Sequence, residues 1–287
     1  MGKKILYIFV ALSFAAVLAA AGFFQWLVVV APGEAIRQEN IEKKLAMESP
    51  AYYVDGVTKI GVFFQDAHRQ YLSYDELPES FIKAIVAAED HQFFQHHGID
   101  LPGFARAMFA NLRAGRVVQG GSTITQQTAK NLFERKGRSV KAKLTELLFA
   151  LRLEYHYPKE KILEFYANQF YVSGNGLGLG VAARYYFDKE AHELNLLEAA
   201  FIAGSVKRPN YYNPFIKKTE EDINKAKENA RIRTGYVLGQ MEKLGMISAD
   251  EYQQATSSEI PFNKGKMQFR LNTLMDLVKD GLDDAEI

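Results

Sequence analysis

The first feature of this chain able to do chemistry is a glutamate that closes an apolar run. Glu89 follows Phe81, Ile82, Ile85, Val86 and Ala88, which recur at helical spacing, and leads into Asp90-His91-Gln92-Phe93-Phe94-Gln95-His96-His97-Gly98. A carboxylate beside apolar groups loses water, which raises its pKa and suits it to general-base work near neutrality. The plainer reading is a solvated helix end, and composition alone does not choose between them. A second candidate is Gly120-Gly121-Ser122-Thr123-Ile124-Thr125-Gln126-Gln127-Thr128-Ala129-Lys130-Asn131. Its glycines allow a tight turn, and Ser122 or Thr123 can cap the helix that follows. Hydroxyls, amides and Lys130 along one helix suit sugar hydroxyls and phosphate, though a capped helix would read the same. Third, nine Lys or Arg (130, 135, 136, 138, 141, 143, 152, 159, 161) stand against four Glu (134, 146, 154, 160) between Lys130 and Lys161. That excess fits an anionic ligand such as a diphosphate, while a charge run is more commonly a solvated face. Lys143 and Glu146 are three apart and share a helix face.

Other chemistries drop out. The chain has 287 residues and a formal net charge of +1, so no global field attracts nucleic acid. It has no cysteine, which excludes disulfides and thiolate metal sites. The six histidines lack H-E-x-x-H spacing, and Ser122 lacks a G-x-S-x-G elbow. The glycines of 174–180 do not match G-x-G-x-x-G.

The elements that must position these groups read as mostly helical. A short polar helix is expected over 33–50, then a small β-hairpin in which Tyr52 to Val57 and Ile60 to Phe64 flank a turn at Asp55-Gly56. Pro78 opens the helix that ends at Glu89-Asp90. Amphipathic stretches follow over 101–116, 140–154, 160–171 and 194–203, with two further helices at 220–244 and 248–256. The apolar side of 101–116 (Leu101, Phe104, Met108, Phe109, Leu112) reads either as core packing or as a surface helix dipping into a bilayer.

Taken in order, these segments resemble the signature of family 51 peptidoglycan glycosyltransferases. The carriers are Glu89-Asp90-x-x-Phe93-x-x-His96-x-Gly98, then Gly121-Ser122-Thr123-Ile124-Thr125-Gln126-Gln127 with Lys130-Asn131, then Lys143-x-x-Glu146. Lys159-x-x-Ile162-Leu163-Glu164-x-Tyr166-x-Asn168 and Glu198-Ala199-Ala200-Phe201-Ile202-Ala203-Gly204 look like the last two motifs. The resemblance implies a mainly α, lysozyme-like two-lobed domain that polymerises lipid II into β-1,4 glycan strands, with inversion and release of undecaprenyl diphosphate. It implies Glu89 as the base that deprotonates the acceptor 4-hydroxyl and Glu146 as a second essential carboxylate, with a divalent cation, Mg²⁺ or Mn²⁺, near Glu146. It also implies substrate contacts from Asp90, Phe93, His96, Ser122, Thr123, Gln126, Gln127, Lys130, Asn131, Arg138 and Lys143. Lipid II, the growing strand, the membrane and cell-wall synthesis proteins are the partners it suggests. Two positions depart from the pattern: Ala142 stands where the family usually has Arg, and Gly180 where Glu is common. A lysozyme-like glycan-cleaving enzyme and an inactive wall-binding scaffold are the alternatives.

Lys3 and Lys4 precede an apolar run from Ile5 to Ala31, roughly 40 Å as a helix and long enough to cross a bilayer. The lysines predict a cytoplasmic N-terminus, hence a single-pass plasma (inner) membrane protein with its catalytic part on the periplasmic side. A cleaved signal peptide is the competing reading, since Ala19 to Ala21 resembles a cleavage site. The expected domains are an anchor over 1–32, a linker helix and hairpin over 33–74, a glycosyltransferase domain over 75–215, and a helical extension over 216–287. That extension resembles the one leading to the second domain of class A penicillin-binding proteins.

Overall fold

Helices dominate, and among the described residues six of the twelve α-helices begin at a residue whose side chain caps them. The computed structural model describes residues 2–31, 33–45, 48–52, 59–64, 68–116, 120–133, 137, 139–173 and 176–265. Helix α1 (Gly2–Gln25) runs into a π-helical turn, Trp26–Val30. Leu6–Val30 has a mean hydropathy of 2.3 and is long and apolar enough to cross a membrane. After a 3₁₀ turn, Glu34–Ile36, the linker helix α2 (Gln38–Leu45) buries Ile41 and Leu45 in the main core. Helix α2 stops short of residue 50 because β1 (Glu48–Tyr52) already pairs antiparallel with β2 (Lys59–Phe64). The expected turn at Asp55-Gly56 lies outside the described residues.

The core is built on α3 (Glu79–Glu89), α9 (Leu196–Ser205) and α11 (Glu220–Lys243), with α9 packed against both of the others. Every residue of α9 from Leu197 to Ser205 is buried. Its N-terminus carries a capping box between Asn195 and Glu198, and Lys189 pairs with the buried Glu198 at 2.7 Å. Around this centre lie α4 (Leu101–Ala114), α5 (Ile124–Leu132), α6 (Val140–His156) and α7 (Lys159–Ala167), with α5 packed on α6 and α7. Helices α8 (Leu179–Phe187), α10 (Pro209–Tyr212) and α12 (Ala249–Ser257) complete the set.

Two local features depart from the sequence reading. The stretch expected to be helical to Tyr171 ends at Ala167, because the Asn168 side chain turns to bond both backbone groups of Leu72, at 2.9 and 2.8 Å. Tyr171 then enters β4 (Tyr171–Ser173), which pairs with β5 (Gly176–Leu177), and β5 pairs with β3 (His68–Arg69). Within the glycine run, Gly174 and Asn175 lie outside the described residues. The run's end starts α8 rather than a loop, at Gly178, whose φ is +86° and where an added Cβ would come within 3.0 Å of the Ala167 carbonyl oxygen, so a side chain is disfavoured.

Candidate active site

Glu89 is the last residue of α3, and a cleft of about 580 Å³ opens over it. Its walls include Glu89, Asp90, His91, Ser122, Gln127, Lys130, Lys143, Glu146, Lys207, Arg233, Tyr236 and Gln240. The Glu89 side chain is only 15% exposed. Burial pushes its pKa above the ordinary carboxylate value. The Gln127 amide, which donates to Oε2 at 3.0 Å, opposes that rise, as do the charges of Arg233 and Lys207. Arg233 Nη2 lies 3.7 Å from Oε1, an ion pair just beyond hydrogen-bond range. The Tyr166 hydroxyl is fully buried with no hydrogen-bond partner among the described residues, and its pKa is raised first by burial and then by the charges of Glu89 and Asp90.

Several sequence-selected side chains point into the fold and hold the cleft's walls. Asp90 leaves the helix at φ −159° and its Oδ2 accepts the Ile124 backbone N–H at 3.0 Å, satisfying a free donor at the start of α5. His96 Nε2 bonds the same oxygen at 2.9 Å, while Nδ1 accepts from the Gly98 N–H at 3.1 Å; this pairing sets the tautomer. Phe93 is fully buried, with Lys159 Nζ 4.5 Å from its ring centroid. Thr123 caps α5 through the Gln126 N–H at 3.1 Å and donates to the Gly98 carbonyl at 2.7 Å. These contacts lock the Glu89 turn to the helix that carries Gln127 and Lys130.

The cationic wall is organised by Lys143. Its Nζ donates to Ser122 Oγ at 3.2 Å, to Gln126 Oε1 at 3.3 Å and to Glu146 Oε1. Glu146 is 4% exposed and Lys130 is exposed at the rim. Asn131 is exposed and does not line the cleft, and Arg138 lies outside the described residues. Among the described residues, no three His, Asp or Glu gather to hold a metal. The chemistry of the wall still fits Mg²⁺, which often takes one protein carboxylate and fills its shell with phosphate oxygens and water. Glu146 would be that carboxylate.

Of the two departures from the family pattern, Gly180 has a local explanation, and nothing in the structure explains Ala142. At Gly180 an added Cβ would meet Gln70 Cβ at 2.8 Å and the Gln70 carbonyl at 3.0 Å, so no glutamate fits without moving that strand end. Ala142 sits in the first turn of α6, where its N–H is capped by Ser139 Oγ at 3.1 Å. Lys207, Arg233, Tyr236 and Gln240 were not foreseen. Arg233, Tyr236 and Gln240 share one face of α11, beside the buried stripe Ala226, Ala230, Val237 and Met241. A polar face along an apolar stripe was legible, but not that it would turn toward Glu89.

The family model described as Transglycosylase matches residues 56–242. The chain belongs to the transglycosylase family. Over 211 residues it is 41% identical to penicillin-binding protein 1A of Aquifex aeolicus, an alignment covering 74% of this chain and 28% of that relative. Over 211 residues it is 39% identical to penicillin-binding protein 1B of Vibrio cholerae, covering 71% and 26%. A crystal structure of penicillin-binding protein 1A from Haemophilus influenzae matches with a TM-score of 0.43 and 20% identity, over 82% of this chain and 24% of that one. The chain thus spans about a quarter of the length of these relatives. The matched stretch includes α11, which supplies Arg233 to the cleft.

Proposed function

We propose that this chain is a membrane-bound peptidoglycan glycosyltransferase that polymerises lipid II into β-1,4 glycan strands, inverting the anomeric centre and releasing undecaprenyl diphosphate. The observation that carries the reading is a buried Glu89 facing a wall of Lys130, Lys143, Lys207 and Arg233 in one cleft. With its pKa raised by burial, Glu89 can take the proton from the acceptor sugar's 4-hydroxyl as that oxygen attacks. The lysines and arginine stand where negative charge gathers on a departing diphosphate. Lys143 is held in place by Ser122, Gln126 and Glu146, so it is preorganised for that charge. A divalent cation held at Glu146 would add charge neutralisation on the same diphosphate. A glycan hydrolase also uses a glutamate, but it has no use for four cations around its base.

The face of α4 supports a membrane-proximal site. Only Ala107 of this helix is buried, while Leu101, Phe109 and Leu112 are 67–73% exposed. Phe104 is partly engaged, lying 3.2 Å from where a Cβ on Gly121 would sit. Such a face fits a helix that dips into a bilayer where a lipid-borne substrate enters. The apolar N-terminal span, with lysines before it, fits an anchor holding the cleft on the periplasmic side.

Incubation with lipid II is the test. Polymer together with free undecaprenyl diphosphate supports the reading; cleavage of preformed strands without polymerisation overturns it. Glu89→Gln should lower polymerisation by at least about 10²-fold, the usual worth of a positioned base.

A further inference from the structure

Arg152 is a buried cation that this mechanism does not use. It lies on α6, six residues past Glu146, and is 8% exposed. Its guanidinium reaches the end of the N-terminal apolar span. Nε and Nη2 both donate to the Leu27 carbonyl, at 3.1 and 2.9 Å, and Nη2 also donates to the Ala31 carbonyl at 3.1 Å. Those carbonyls belong to the π-helical turn and the residue after it, where a helix end leaves acceptors unsatisfied. A cation at that end also complements the helix dipole. Val28, in the same turn, is buried at 7% exposure.

The contact continues on both sides. The Arg152 guanidinium stacks 5.1 Å from the Phe149 centroid, and Phe149 stacks at 4.0 Å on Phe133, at the end of α5. Beyond the span, Tyr157 Oη donates to the Ile36 carbonyl, Lys161 pairs with Glu42 at 2.8 Å, and Lys44 donates to the Leu132 carbonyl at 2.8 Å. The linker is therefore fastened to α5, α6 and α7. Of these, α5 and α6 carry Gln127, Lys130, Lys143 and Glu146.

We infer that Arg152 is a positioning residue that locks the membrane-exit end of the anchor to the site helix, fixing the cleft's height and tilt over the bilayer. A substrate tethered by a lipid reaches the cleft at one height only, so a loose anchor would lower productive encounters without altering the cleft itself. This rests on the membrane-bound reading above, and its test has a readout independent of activity. These 287 residues include no cysteine, so Ser257→Cys on α12 gives a single labelling site. Energy transfer from that label to acceptor lipids in vesicles should report one narrow distance for the otherwise unchanged chain and a broadened one for Arg152→Ala. Arg152→Lys, which keeps charge and stem but lacks the fork, should fall between, and it stands in if the alanine variant unfolds.

Polymerisation of lipid II in the same vesicles should drop at least about 10-fold in Arg152→Ala, in line with the cost of small misplacements. In detergent micelles with a short-chain lipid substrate it should stay within about two-fold. An unchanged distance distribution in both variants, or an equal loss in micelles and vesicles, would overturn the inference. An Arg152-bearing chain that gives a narrow distance but no polymer would sink the proposed function and leave the anchoring role standing.

Discussion

Replacing Arg233 by Gln should move the acid limb of the rate–pH profile to higher pH. Arg233 sits 3.7 Å from Glu89, with side-chain exposures of 12% and 15%. Coulomb's law at that separation gives about 1 kcal/mol at the dielectric of water and about 4 kcal/mol at an effective value near 20. The cleft is open to solvent, so an intermediate figure of about 2 kcal/mol applies. Burial already holds the Glu89 pKa above its ordinary value, and the Arg233 charge opposes that rise. Removing the charge favours the protonated acid, which cannot act as a base. Activity should then be lost at a higher pH as the solution is acidified, while the alkaline plateau falls less. The assay is kcat/KM for lipid II polymerisation from about pH 5 to 9, since that ratio reports the free enzyme. Arg233→Lys keeps the charge and should bring the limb most of the way back. If the limb stays put in Arg233→Gln, or moves equally in Arg233→Lys, the assignment of Glu89 as the titrating base fails.

Other outcomes follow from single contacts. Gly180→Glu, which restores the residue common in the family, should destabilise the fold by about 1–3 kcal/mol through overpacking against Gln70, read as a lower Tm. Asp90→Ala should cost about 1–2 kcal/mol by leaving the Ile124 N–H and His96 without their acceptor, and it should also cut polymerisation by loosening α5; Asp90→Asn should recover part of both. Replacing Phe109 and Leu112 by Ser should weaken vesicle binding of a chain starting at Gly33 by about 10-fold or more, at unchanged Tm, because each exposed side chain is worth about 1.5–3 kcal/mol when fully buried; equal binding would return α4 to an ordinary surface helix. Glu146→Gln should raise the Mg²⁺ concentration needed for half-maximal polymerisation if the cation sits there; an unchanged Mg²⁺ dependence would remove Glu146 as its ligand.

Local rules make much of this protein legible in its sequence. Apolar spacing and caps located α3, α4, α6, α9, α11 and α12 closely, because a helix is stabilised by contacts three and four residues apart and by groups at its own ends. The ordered motifs singled out Glu89, Ser122, Gln127, Lys130, Lys143 and Glu146, and the fold brings all of them to one cleft. Side-chain direction was another matter. Asp90, Phe93, His96 and Thr123 carry the motif as strongly as Glu89, yet their contacts frame the turn and the start of α5. Sequence spacing cannot separate a residue that meets a ligand from one that holds its neighbour in place. Long-range packing also lay beyond it. The end of α7 depends on a bond from Asn168 to Leu72, 96 residues away. Arg233 reaches Glu89 because α3 and α11 pack on each other and on α9, and Arg152 reaches Leu27 because α6 lies along the end of the N-terminal apolar helix. The chain by itself determined which chemistry is available and on which helices. The tertiary packing decided which charges meet across the cleft and how the cleft is joined to the N-terminal apolar helix, since those energies depend on distances between segments that sequence order does not encode.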